Sequence, residues 1–192
     1  GTMDRVLHIK SPLFSPRTVA ITGGRVQNAG GISVGGGVFN EASALTISDS
    51  TISDNSASNG GGIVTFNTSS SLTLVSSTVS GNAAGALGGG IFNDANGTLT
   101  VSGSTISGNT AGTNGGGIFN GTDSTATLIN STMSGNGATG GGGGISQESL
   151  GAGSLTINSS TISGNTANWG GGIAIMGSPV EMRNTILAGN SG

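Results

Sequence analysis

Residues 104–120 read STISGNTAGTNGGGIFN, a stretch with five glycines, one phenylalanine and no charge. In isolation it would suit a flexible linker. It is not isolated, because related stretches occupy 50–67, 77–93, 131–147 and 160–175. Aligned on the Ser-(Gly/Asp)-Asn triplet, the asparagines are Asn55, Asn82, Asn109, Asn136, Asn165 and Asn190, spaced 27, 27, 27, 29 and 25 residues apart. A weaker copy, TVAITGGRVQNAGG, lies at 18–31. About seven units at a fixed period are the signature of a solenoid.

Composition alone leaves a second option open. Charged residues make up 7% of the 192, aromatics 3%, and glycine contributes 40 positions. Such a bias also marks low-complexity, disordered segments. The 33% hydrophobic content argues otherwise, because it is held in register. Every unit carries three short apolar stretches. The first alternates, as in Leu45/Ile47, Leu72/Leu74, Leu99/Val101, Ala126/Leu128, Leu155/Ile157 and Val180/Met182. The second centres on Ile52, Val79, Ile106, Met133, Ile162 and Leu187, and the third on Val38, Ile63, Ile91, Ile118, Ile145 and Ile173. Period-2 alternation belongs to strands. The runs are too short for helices, and glycine interrupts each unit.

The spacing therefore predicts an all-β fold: a single-stranded right-handed parallel β-helix of about seven coils of ~27 residues. Each strand pairs with its equivalent one coil away, at about 4.8 Å. Like side chains stack on like inside, and no coil is stable alone. The glycine triplets precede the third strand, where a tight turn and close passage of coils are needed. The asparagines Asn55, Asn82, Asn109, Asn136, Asn165 and Asn190 read as a structural ladder that satisfies the turn backbone. Phe39, Phe92 and Phe119 read as a stacked aromatic column, with Phe66 displaced by a small insertion. The opening Gly1–Met3 reads as an expression scar, and residues 1–17 as that scar plus an incomplete first coil. Residues 18–192 form one repeat domain, expected to be a fragment of a longer protein.

The repeat STISGNTA…GGGIFN…LTV resembles those of bacterial right-handed parallel β-helix proteins of the pectate-lyase-like superfamily. It is similar in particular to the repeats of polymorphic outer membrane proteins and other large exported surface proteins. The likeness covers about residues 18–190. It implies an exported passenger or stalk linked to adhesion, at a secreted or cell-surface location. Partners implied are glycans or host and cell-surface proteins.

The same superfamily contains polysaccharide lyases and hydrolases, so catalytic groups must be sought. A glycosidase needs two carboxylates roughly 5–9.5 Å apart. Glu41, Asp94 and Glu148 hold similar places on alternate coils, which separates them by about 9–10 Å, twice the strand spacing. Asp123 lies on an intervening coil and could approach Asp94, making that pair a weak candidate for metal binding or catalysis. No Arg or Lys lies between residues 26 and 182, so the body of the solenoid offers no base of the lyase type. His8 stands without a partner motif. The glycine runs lack the Lys-Ser/Thr and the helix that a phosphate loop requires. With no cysteine, disulfides and thiolate metal sites are excluded. The net charge of −3, with four of five basic residues in the first 25, gives no stripe for nucleic acid. No apolar run reaches the roughly 18–20 residues of a membrane span.

One outward face is regular. Thr51, Thr78, Thr105, Thr132 and Thr161 flank the second apolar column on one side, and Ser53, Ser80, Ser107, Ser134 and Ser163 on the other. Such a Thr-x-Ser array packs well on parallel strands. It also offers an ordered hydroxyl surface, similar to the Thr arrays of ice-binding solenoids. Trp169, the single tryptophan, is expected to pack on neighbouring glycines or to stack on a sugar or partner. The leading expectation is a non-enzymatic scaffold of the cell exterior needing no cofactor. The alternatives are a polysaccharide-binding or polysaccharide-degrading β-helix, and ice binding through the Thr-x-Ser array. Open strand edges at both ends also predict end-to-end self-association.

Overall fold

A short strand with apolar first and third side chains must lay that face on other hydrocarbon. In the computed structural model, which describes residues 7–10, 18–27, 33–148 and 151–192, it lies on the inside of a tube. The proposed scar at Gly1–Met3 and the end of the weak copy, 28–31, fall outside the described residues.

Three parallel sheets of seven strands each form the tube walls. The first sheet runs from Thr18–Thr22 through Thr98–Ser102 to Val180–Arg183. The second runs from Arg25–Gln27 through Thr105–Ser107 to Ile186–Ala188, and the third from Leu7–Lys10 through Ile91–Asp94 to Ile173–Met176. Every strand pairs with its equivalent one coil away. Leu45, Leu72, Leu99, Ala126, Leu155 and Val180 stand in one column, and Ile52, Val79, Ile106, Met133, Ile162 and Leu187 in another. A fourth sheet, not foreseen from the apolar stretches, joins the two-residue strands Ser56–Ala57, Ala83–Ala84, Thr110–Ala111 and Gly137–Ala138.

An inner coil contributes only four wall side chains to the core, such as Ile91, Leu99, Val101 and Ile106, all fully buried. Each is worth about 1.5–3 kcal/mol of burial. The corners are filled by polar columns. Between the first and second sheets, Ser50, Ser77, Ser104, Ser131 and Ser160 stack. The Ser77 hydroxyl accepts the Ser50 N–H at 3.0 Å and donates to the Val75 carbonyl at 2.7 Å. Between the second and third sheets stand the ladder asparagines. The Asn109 Oδ1 accepts both the N–H and an Nδ2–H of Asn82, while its own Nδ2 donates to the Val79 carbonyl and to Asn136 Oδ1. The third corner holds Asn40, Thr65, Asn93, Asn120 and Gln147, with Asn93 Nδ2 donating to Asn120 and Asn120 Nδ2 to Gln147, both at 2.7 Å. Buried backbone groups at a corner, where the sheet ladder is interrupted, need such partners.

The glycine triplet divides its labour. Gly115 sits at φ +69°, in the left-handed region. Gly116 and Gly117 follow where the next coil passes so closely that a Cβ on Gly116 would meet Gly143 O at 2.5 Å, and one on Gly117 would meet Gly144 O at 2.6 Å. Outside the third sheet lies a second small core. Phe39, Val64, Phe92 and Phe119 form it, with Val34 and Leu87 packed against them. Phe92 and Phe119 stack with centroids 5.3 Å apart. Val64 takes the place in this column that Phe66 leaves, and Phe66 is exposed.

Candidate functional site

The outward side chains of the second sheet fall in strict register. Thr51, Thr78, Thr105, Thr132 and Thr161 form one column, and Ser53, Ser80, Ser107, Ser134 and Ser163 the next. The array stops where Ile186 and Ala188 take these places in the last coil. Neighbours lie about 4.8 Å apart along the tube and about 6.7 Å along a strand. The side chains are half-buried among one another, apart from the buried Ser53.

Next to this face lies another that the reading of the sequence missed. On the first sheet Thr46, Thr73, Thr100, Thr127 and Thr156 form an uninterrupted central outward column. It is flanked on one side by Ala44, Ser71, Thr98, Thr125 and Ser154. Over these five coils the face has no charge. The signal was present in the middle residue of each Leu-Thr-Ile stretch, which alternation sends outward.

Asp94 Oδ1 accepts the N–H of Thr122 at 2.7 Å, and Asp123 Oδ1 accepts that of Ala152 at 2.8 Å. Each of these two carboxylates thus clamps the loop of the following coil. Glu148 accepts from Asn114 Nδ2 at 2.7 Å and Ser146 Oγ at 2.6 Å. His8, on the strand Leu7–Lys10, meets Glu41 at 3.2 Å and lies against the Phe39 ring at 4.7 Å. Among the described residues no three His, Cys, Asp or Glu side chains lie close enough to hold a metal ion. Among the described residues no helix is long and apolar enough to cross a membrane.

The aromatic column is covered, with Phe92 and Phe119 each 6% exposed, so its rings present no open face to a sugar. Trp169 is 40% exposed and lies over Gly141, where a Cβ would run into its ring.

With three parallel sheets wound from successive strands of every coil, the architecture is that of a β-helix. Residues 14–133 match the family model described as a right handed beta helix region. The chain belongs to the right-handed β-helix family. That assignment supplies the hand of the coil, which agrees with the general rule for parallel crossovers. Comparison with curated proteins and with solved structures gave no match.

The corner serines and the amide column at Asn40–Gln147 were also missed. Their signals are the Ser that precedes each Thr-Ile-Ser and the Asn that ends GGGIFN.

Proposed function

We propose that this right-handed β-helix is a non-enzymatic scaffold of the cell exterior, a stalk or passenger that carries adhesive contacts on its outer faces. One observation carries the reading. The carboxylates that could have served chemistry in the tube body, Asp94, Asp123 and Glu148, are each bonded to the protein's own coils. The same body has no Lys or Arg between residues 26 and 182 to act as a base. The resemblance of the repeat to those of exported surface proteins supports the location.

Polysaccharide recognition is the second reading, favoured by the two adjoining hydroxyl-bearing faces. A flat, uncharged grid of Thr and Ser suits a ligand that is itself flat, polar and periodic. Ice binding would use the same grid, though Ser in the second column lacks the methyl that Thr supplies.

Four experiments test these readings. Protease shaving of intact cells that make the full-length gene product should remove the epitope, and full protection would overturn the location. Assays on acidic polysaccharides should show no turnover. Turnover abolished by Asp94→Ala or Asp123→Ala would replace the scaffold with a degradative enzyme. A glycan array and an ice-recrystallisation assay at micromolar protein then decide between an inert grid and a binding one.

A further inference from the structure

The position before each glycine triplet varies, and it forms a column of its own. Asn59, Leu87, Asn114, Gly141 and Trp169 occupy it, joined because Gly60 N–H donates to the Leu87 carbonyl, Gly88 to Asn114, Gly115 to Gly141 and Gly142 to Trp169. Of these five only Gly141 has no side chain, and the ring of Trp169 takes the space where its Cβ would stand. Laid on that backbone, the indole is still 40% exposed. The coil of Gly141 departs from its neighbours a second time. In the column of Phe92 and Phe119 it carries Ser146. The Ser146 hydroxyl donates to Glu148 Oε1 at 2.6 Å, and Asn114 Nδ2 donates to the same oxygen at 2.7 Å. Asn114 Oδ1 accepts the Gly141 N–H at 2.7 Å. One amide group therefore links the glycine beneath the tryptophan to the carboxylate. Asn114 and Glu148 are both partly exposed. An aromatic platform and an anchored carboxylate thus stand side by side on one corner, built by departures from the repeat, which is where functional sites are expected.

We propose that Trp169 and Glu148 form a subsite for one uncharged pyranose unit of a glycan. The proposal rests on the reading of polysaccharide recognition and sharpens it, by naming a site apart from the hydroxyl faces and a class of sugar. The C–H face of a pyranose stacks on an indole, which offers a large apolar surface at low entropic cost. The sugar's hydroxyls donate to the carboxylate, which has about four acceptor positions, and bonds to an ionised acceptor are the stronger kind. Gly141, Asn114 and Ser146 hold both groups in place beforehand, so little ordering is left for binding to supply. Charge decides the class of sugar. Between residues 26 and 182 the chain holds seven Asp and Glu and no Lys or Arg. A uronate seated on Trp169 would set its carboxylate against Glu148 with no cation of the tube body to relieve it, and such juxtaposition rejects a ligand. A guanidinium or ammonium is less well matched, because two neutral donors already meet Glu148 Oε1.

Trp169 is the single tryptophan of the 192 residues, so its fluorescence reports on this corner alone. The parent chain is titrated with a panel of neutral oligosaccharides (cellohexaose, mannohexaose, xylohexaose), with hexagalacturonate, and with a blocked arginine-containing peptide. The expected result is a saturable blue shift with at least one neutral sugar at millimolar concentration or below, and none with the galacturonate or the peptide. Calorimetry then compares variants. Trp169→Ala should weaken the neutral sugar about tenfold. Glu148→Gln should weaken it by a similar factor and admit the galacturonate, a change of preference that a merely structural role for Glu148 would not produce. Thr105→Ala/Thr132→Ala should leave the fluorescence response as in the parent. No response to any neutral sugar overturns the proposal, as does a preference for the galacturonate or the peptide. Sugar binding that survives Trp169→Ala and is lost in the double threonine variant overturns this site while leaving recognition by the second-sheet face standing. Absence of binding by every route removes both.

Discussion

Replacing Asn109 by alanine removes one rung from the middle of a buried column. Its side chain makes four hydrogen bonds, two accepted by Oδ1 and two donated by Nδ2. In Asn109→Ala the N–H of Asn82 and one of its Nδ2 hydrogens lose their acceptor, in a corner where Asn82 and Asn109 are both 0% exposed. Each unsatisfied buried donor costs about 1–3 kcal/mol. Water entering the vacated space recovers part of this, so the net loss is about 2–4 kcal/mol. For a chain of this length 1 kcal/mol moves the melting temperature by roughly 2–4 °C, so the midpoint should fall by about 5–15 °C. Asn190→Ala is the matched control. It is the last rung, only partly buried, and donates to the Ile162 carbonyl while accepting from Asn165. Its loss should be about 1 kcal/mol. Calorimetry gives both midpoints, and amide exchange at Asn82 reports the broken rung locally, with about tenfold faster exchange for each 1.4 kcal/mol. If Asn109→Ala melts within about 1 °C of the parent, the column is ornamental and the account of the corners fails.

Three further outcomes follow from the geometry. Gly116→Ala should unfold the protein or lower its midpoint far more than Gly135→Ala, because the first Cβ strikes backbone at two points of the following coil, Gly137 and Gly143, and the second meets nothing within 4 Å and bears only the strain of φ +62°; parallel thermal melts decide. Phe92→Ala should cost about 3–5 kcal/mol by opening the outer core, while the far-ultraviolet spectrum keeps its strand signature, since the tube wall does not depend on that ring. The double change Thr105→Ala/Thr132→Ala should move stability by no more than about 0.5 kcal/mol. It should also interrupt any binding to the second-sheet face, read by glycan array.

The walls were legible because their chemistry is simple. Hydrocarbon recurring every 27 residues has one economical arrangement, and the columns through Ile52 and Leu45 follow from it directly. The corners were harder, because Ser and Asn are also the commonest turn residues. Nothing local separates a serine facing water from Ser77, which is 2% exposed and bonded on two sides. The period also conceals compensating loops. Asn55 to Gly60 is five residues and Asn82 to Gly88 six, while Ile63 to Leu72 is nine and Ile91 to Leu99 eight. The sums agree and the partition does not, and that shift puts Val64 in the aromatic column and Phe66 outside it. For the acids, sequence placed Asp94 and Asp123 on adjoining coils. It could not show that each would be bound by the backbone of the coil that follows.

The hydrogen bonds of all three sheets point along the tube axis, and each coil touches only its neighbours. A pull between the two termini therefore loads the outermost coil first and leaves the others slack. Such a rod lengthens by unspooling. Each coil of 27 residues releases roughly 90 Å of chain, and the next coil meets the load only after the last has paid out, so the tension repeats from coil to coil like the teeth of a saw.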